Sequence, residues 1–460
     1  MTTSKAPAGY LAGPVSKHIH RMTLSGGLGL LALFTVDFVD LFFISLLGER
    51  ELAAAVGFAA TILFFCQSLS IGLTIAVGAT VSRALGANHV ERARELIASS
   101  FVLILVITTL VAGSVFWWRD ALLTLLGAEG YTLEQASSYL AIILPSFVPV
   151  SIGMAAGGVM RAKGDAKGAL WVTLSGAIVN AIFDPILIFA LNLELTGAAI
   201  ASAMARLTIF AYGVSKLYKY SLLSWPDPAA LRRDTPAISS IAVPSVFTNL
   251  ATPIGLAFVT ASMAQFGDAA IAGLAIITRL QQVAFVALFA LSGAVGPIAG
   301  QNWGAQSYDR VSAVLTESIR FIAGYCLVVC LALAALTQPI IWAFQASAQA
   351  AELIRWFTLG LSAVFVFNGI TFVTNALFNN LGAPKTSTLF NVLKATLFTV
   401  PFVWLGARWL GAPGVLIGQG LGSAIIALAG WYWCRRYLGN LQPAPTGERS
   451  SESFTPLSER

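Results

Sequence analysis

Runs of about 20 apolar residues recur along this chain at short intervals, each long enough to cross a hydrocarbon core of roughly 30 Å as a helix. They fall near 24-47, 53-79, 96-117, 137-159, 168-190, 197-216, 238-263, 271-297, 318-338, 355-378, 386-406 and 412-434. Lipid offers no hydrogen-bond partner to an open backbone, so such segments must satisfy their own peptide groups as helices. With 57% hydrophobic and 10% charged residues among 460, too little polar surface is left for a water-soluble domain. The expected fold is an all-α polytopic membrane protein with twelve transmembrane helices.

The formal charge of +6 does not indicate a nucleic-acid binder, because the basic residues neither gather in one patch nor interleave with exposed aromatics. They sort by side. Lys5, Lys17, Arg21, Arg83, Arg92, Arg94, Arg161, Lys163, Lys167, Lys216, Lys219, Arg232, Arg233, Arg310, Lys385, Arg435 and Arg436 fall on one side, against Arg50, Arg119, Arg408 and, at a helix start, Arg355 on the other. An even number of spans with this bias puts both termini of a multi-pass membrane protein in the cytoplasm. No GxxxxGK[ST] signature occurs, so ATP is not the direct energy source, and no cofactor is expected. Cys66, Cys326, Cys330 and Cys434 lie in or at the ends of apolar helices without metal-ligand company, as ordinary packing residues. The first span is too long for the core of a cleavable signal peptide. The tail from Gln442 to Arg460, rich in Pro, Ser, Thr and Glu, reads as disordered and cytoplasmic.

The chain also repeats itself. Gly48 of LLGERELAAAVGFA corresponds to Gly267 of QFGDAAIAGLAIIT, both just after apolar runs, where a residue free to take positive φ ends a helix. One residue of adjustment lays GATVSRALGANHVER (78 to 92) over GPIAGQNWGAQSYDR (296 to 310), and RAKGDAKGA (161 to 169) over NNLGAPKTS (379 to 387). Six helices per half is an even number, so the halves enter from the same side as parallel repeats, with a cargo cavity between two bundles. The expected organisation is a cytoplasmic segment 1-22, an N-lobe 23-222, a linker 223-237 around WPDPAALRRDTP, a C-lobe 238-436, and the disordered tail 437-460.

Acidic residues sort sharply by depth. Most lie in loops or at helix ends, and only Asp37, Asp40 and Asp184 are plainly inside spans. Ionisable groups at that depth are costly unless they pair or face a polar cavity, so they mark function by default. Asp37 and Asp40 of TVDFVDLFF share one helix face at i,i+3. Asp184 follows Asn180 at i,i+4, and Pro185 withdraws a backbone donor beside it. Ser202 adds a hydroxyl one helix later. Carboxylates, an amide oxygen and a hydroxyl suit a hard cation or a proton relay, with sodium possible at Asp40, Asn180 and Asp184. The rival reading of Asp37 is a packing hydrogen bond. Phe38, Arg206, Arg279, Gln281, Gln282, Asn249, Asn368 and Asn375 are cavity candidates, the alternative being lipid contact for Phe38, snorkelling or ion pairing for the arginines, and helix-helix hydrogen bonding for the amides. The second half offers polar but uncharged interior candidates and no deep acid.

In order, VDFVDLFFISLLGERELAAAVG, GATVSRALGA, RAKGDAKGA, the NxxxDP of 180 to 185, GAAIAS and GQNWGA resemble the multidrug and toxic compound extrusion (MATE) family over nearly the whole chain, most closely its DinF-like bacterial branch. The resemblance implies two pseudo-symmetric six-helix bundles in a V, a secondary transporter and not an enzyme, and export of small organic cations or amphipathic drugs driven by proton or sodium entry. It also implies a coupling aspartate of the first helix at Asp40, with Asn180, Asp184 and Ser202 at positions that hold the cation in relatives, and Asp37 where relatives often carry asparagine. The acids that another branch uses in its seventh and tenth helices are not matched, so coupling is expected in the first lobe, with protons as the ion and sodium as the alternative. Membrane lipids are the other expected partner, and the working unit is expected to be a monomer. A lipid-linked oligosaccharide or lipid flippase is the rival function and requires several cationic cavity side chains. A scaffold without transport would leave the deep acids without purpose, and a channel would need a charged ring or a carbonyl filter.

Overall fold

The computed structural model describes residues 9–46 and 50–441, so the helix end expected at Gly48 and the tail beyond Leu441 lie outside the described residues. Twelve membrane-crossing helices follow one another among the described residues. They are α1 (Val15–Leu46), α2 (Arg50–Gly86), α3 (Val90–Leu125), α4 (Gly130–Lys163), α5 (Ala166–Ala190), α6 (Glu194–Lys219) and α7 (Pro228–Ala264). α8 is a pair, Asp268–Ala284 and Val286–Gly304, bent by 48°. α9 (Tyr308–Ala335), α10 (348–380), α11 (384–410) and α12 (412–441) complete the set. The 58-residue run Pro384–Leu441 is two helices because Gly411, at φ 67° and ψ −149°, breaks it.

That break turns the chain back on itself through a glycine seam. A Cβ placed on Gly414 would collide with the carbonyl of Gly406, one on Gly418 with that of Phe402, and one on Gly422 with that of Phe398. Glycines every fourth residue let two backbones touch, which lipid cannot drive through a hydrophobic effect. Replacing Gly411 by alanine forces a side chain into a backbone region that only glycine enters freely, at a cost of about 1–3 kcal/mol. The purified Gly411→Ala protein is expected to melt at a lower temperature than wild type, whereas Gly324→Ala, where a Cβ meets nothing within 4 Å, stays at the wild-type value.

α1–α6 and α7–α12 form the two bundles. Between them α1 packs on α8 and α2 on α7, contacts that exchange under the pseudo-twofold of the repeat. The bundles meet at the face carrying both ends of the described chain and splay toward the other face. Residues 76–82 of α2 and 294–302 of α8 are buried without interruption, whereas α8 exposes residues 268, 272, 275, 279 and 283 further along. At the closed face Arg83 donates from Nε to the Asn380 carbonyl (2.8 Å) and from Nη2 to that of Asn379 (3.2 Å), with its guanidinium 4.6 Å over Trp303. Tyr10, fully buried, is wedged between the lobes: its hydroxyl donates to the Arg161 carbonyl (2.7 Å), its N–H to Gln301 Oε1 (2.9 Å), and its own carbonyl accepts from Arg310 Nη2 (2.8 Å). Burial raises the Tyr10 phenol well above its ordinary range, so the wedge is a neutral hydroxyl.

Two expected boundaries shift. The linker is shorter than 223-237, because Asp227 caps a helix that starts at Pro228, accepting from the N–H groups of Ala229 and Ala230 at 3.2 and 3.3 Å. Asp234, inside the expected linker, is fully buried and paired with Arg92 (2.6 Å) and Arg233 (3.1 Å), while Ser99 donates to it (3.0 Å), which pins α7 to α3. At the other end α12 continues to Leu441, so 437–441 is helix. Trp117, Trp118, Trp342 and Trp409 stand exposed near the open face, and Trp225 and Trp433 near the closed one, as aromatic belts at two membrane surfaces do.

Candidate functional site

The deep acids come together. α1 delivers Asp40 and α5 delivers Asp184, and the two carboxyls are interacting neighbours, with the Asn180 side chain beside Asp184 one turn earlier. Asp184 is 0% exposed, and both of its oxygens, like Oδ1 of Asp40, are buried with no hydrogen-bond partner in the protein. Buried polar atoms are nearly always satisfied, so three carboxyl oxygens gathered at one point without a protein donor suit a proton or a hard cation. A proton on one carboxyl would turn a like-charge clash into a shared hydrogen bond.

α6 closes the group with Ser202 and Arg206, and α4 adds Tyr139, whose hydroxyl lies within interaction range of Ser202, Arg206, Asp40 and Asp184. Arg206 also neighbours Cys66 of α2. Five helices of one lobe therefore converge here. After Pro185 the helix loosens into a π-turn, Ile186–Ala190, and Phe189 from that turn meets Phe43 edge to face, ring centres 5.7 Å apart, nearer the open face than the carboxyls. The missing proline donor explains why α5 loosens at this level and not elsewhere. Among the described residues no group of three or more His, Cys, Asp and Glu side chains could hold a metal ion. A sodium ion here would instead need the oxygens of Asp40, Asn180 and Asp184.

The remaining candidates scatter. Asp37 lies on α1, but its side chain is outside the described residues. Phe38 is 62% exposed and Arg279 is exposed on α8. Gln281 and Gln282 are half-buried. Asn249 donates to the Ser245 carbonyl of its own helix (2.8 Å). Asn375 lies half-buried on α10. Asn368 accepts from Lys394 Nζ at 2.7 Å. That contact corrects the expectation of an uncharged second-lobe interior: Lys394 sits within the 386-406 span, and sorting bases by depth, as for acids, singles it out.

The MatE family profile matches the chain twice, over residues 27–186 and 244–405. The chain belongs to the MatE family. Two matches in tandem, the second starting 217 residues after the first, restate the internal repeat. An FAD transporter of Shewanella oneidensis is 27% identical over 440 residues, covering 93% of this chain and 96% of the relative. The multidrug export protein MepA of Staphylococcus aureus is 23% identical, covering 90% and 92%. The Vibrio cholerae MATE transporter VcmN in its bent form superposes with a TM-score of 0.88 at 26% identity, covering 93% of this chain and 97% of that one. This MatE chain is an integral multi-pass membrane protein and a secondary transporter, not an enzyme.

Proposed function

We propose that this MatE transporter is a cation-coupled efflux antiporter, with Asp40 and Asp184 as the coupling pair and Asn180, Ser202 and Tyr139 completing their shell. The observation that carries this reading is the buried carboxyl pair with its orphaned oxygens. An ion entering through the open face reaches Asp40 beside Phe43, relieves the like-charge repulsion within the pair and changes how α1 packs against α5. Cargo and ion must favour opposite states for exchange to occur, which is a coupling free energy and not mere proximity. Inward net positive charge draws on the membrane potential, at about 2.3 kcal/mol per charge per 100 mV.

Protons are the favoured ion, because one shared proton satisfies the pair without dehydrating a metal ion. The excess of basic residues on the closed face supports a cytoplasmic position for that face in a bacterial inner membrane, and with it an outward-facing state. The DinF-like branch and a monomeric unit belong to the same reading. The cargo is amphipathic organic compounds, in keeping with relatives described as a multidrug exporter and an FAD transporter.

The test is export of a fluorescent organic cation such as ethidium from proteoliposomes, with proton and sodium gradients imposed separately. Export that follows the proton gradient alone is the expected result. Export following sodium alone would replace the ion, and flux indifferent to both would overturn antiport in favour of a flippase.

A further inference from the structure

We propose that the second lobe carries an anion-recognition subsite at Lys394, taking the phosphate or carboxylate group of an amphipathic cargo. The assignment of that ligand as cargo rests on the export reading above; the chemistry of the subsite does not. Lys394 lies ten residues along α11 from Pro384, about 15 Å into the membrane at 1.5 Å per residue and close to half the hydrocarbon thickness. An ammonium at that depth is costly and ordinarily answered by a carboxylate. Here the partner is neutral: Nζ donates to Asn368 Oδ1 at 2.7 Å, one bond for a group with three donors.

No acid of the second lobe is placed to pair with it. Asp234 is held by Arg92 and Arg233, and Glu317 by Arg320. Asp268 and Asp309 lie in the first turns of α8 and α9, and Glu352 near the start of α10. In the first lobe Asp40 and Asp184 neighbour each other. Among the described residues Lys394 forms no ion pair.

Polar residues share the faces of the two helices that meet at Lys394. Ser387, Asn391 and Lys394 share one face of α11, with Asn368 and Asn375 on one face of α10. Ser387 Oγ is fully buried with no hydrogen-bond partner. From Lys394 the helix widens into a π-turn through Phe398, and Thr399 bonds the Lys394 carbonyl with both its N–H (2.9 Å) and its hydroxyl (2.6 Å). Such turns occur frequently at functional positions. The repeat also shows what is special here, since the position equivalent to Lys394 in the first half is Gly176, while those equivalent to Asp40 and Asp184 in the second are Val259 and Phe402. At these equivalent positions the acids stand in one lobe alone and the lysine in the other alone. An ammonium held by one amide oxygen, with two donors to spare and no counter-ion, recognises an oxyanion.

Riboflavin and its 5′-phosphate test this, because they share a fluorescent ring and differ in one phosphate. Binding to the purified full-length protein needs no gradient, so a failed antiport reading leaves this readout intact. Wild type is expected to bind the phosphate at least tenfold tighter than riboflavin, Lys394→Met to abolish that preference, and Lys394→Arg to keep most of it. Equal wild-type affinities, or a Lys394→Met change that falls on both ligands alike, overturns the subsite. Repeating the titration in phosphatidylcholine vesicles with and without phosphatidylglycerol separates the two sources of phosphate. If the anionic lipid displaces the flavin phosphate from wild type, the subsite holds a lipid headgroup and the cargo assignment falls.

Discussion

Asp40→Asn is expected to reduce gradient-driven export at least tenfold while leaving the protein folded. Asparagine keeps the size of the side chain, so α1 still fits against α5, but it neither takes up a proton nor bears the charge that makes the Asp184 neighbour matter. Asp184→Asn is expected to fail in the same way, and the double variant to be no worse than either single one, because two groups sharing one ion act as a unit and their effects do not add. The measurement is initial dye efflux from proteoliposomes under an imposed proton gradient, beside dye binding in its absence. Binding that persists while gradient response vanishes separates lost coupling from lost folding. Asp37→Asn belongs in the same series, since Asp37 is one turn away on α1. A gradient response that survives Asp40→Asn and disappears in Asp37→Asn would move the coupling group along the helix and sink the Asp40–Asp184 pair.

Much of this fold is legible in the sequence because lipid leaves few options. Apolar runs of membrane length must be helices, and all twelve are. Ends are less legible: an apolar run says where lipid is, not where a helix stops, so α2 continues to Gly86 and α7 begins at Pro228, beyond their hydrophobic stretches. The acid cluster was accessible through depth, since Asp40 and Asp184 had no low-cost alternative to meeting a polar partner. Tyr139 carried no such signal, because a tyrosine near a membrane surface has an ordinary explanation as an interfacial side chain. Periodicity did not join Arg279, Gln281, Gln282 and Phe38 to the acid cluster, and the structure leaves Phe38 and Arg279 exposed. Tyr10 was invisible for another reason. It belongs to a short polar lead with no pattern, and only the approach of two lobes distant in sequence makes it a wedge.

Gly86→Val is expected to hold the two lobes apart at the closed face and to lower transport at least tenfold. The repeat pairs Gly86 with Gly304 and Arg83 with Gln301, and the structure shows why: a Cβ on Gly86 would strike the Gln301 backbone, and one on Gly304 the Arg83 carbonyl. The two collisions exchange under the pseudo-twofold, and Gly300 against Ser82 Oγ adds a third close approach in the same seam. Backbone cannot rotate away as a side chain can, so even one methyl group must push the helices apart, and the closed state loses population in proportion to that cost. Spin labels at Lys167 and Lys385, one on each lobe at this face, report the separation in a background lacking the four native cysteines. Wild type should give a short distance and Gly86→Val a longer one, with Gly57→Ala, where a Cβ meets nothing within 4 Å, remaining as wild type. An unchanged distance in Gly86→Val, with transport intact, would mean that the seam yields without opening and that closure of this face does not depend on glycine contact.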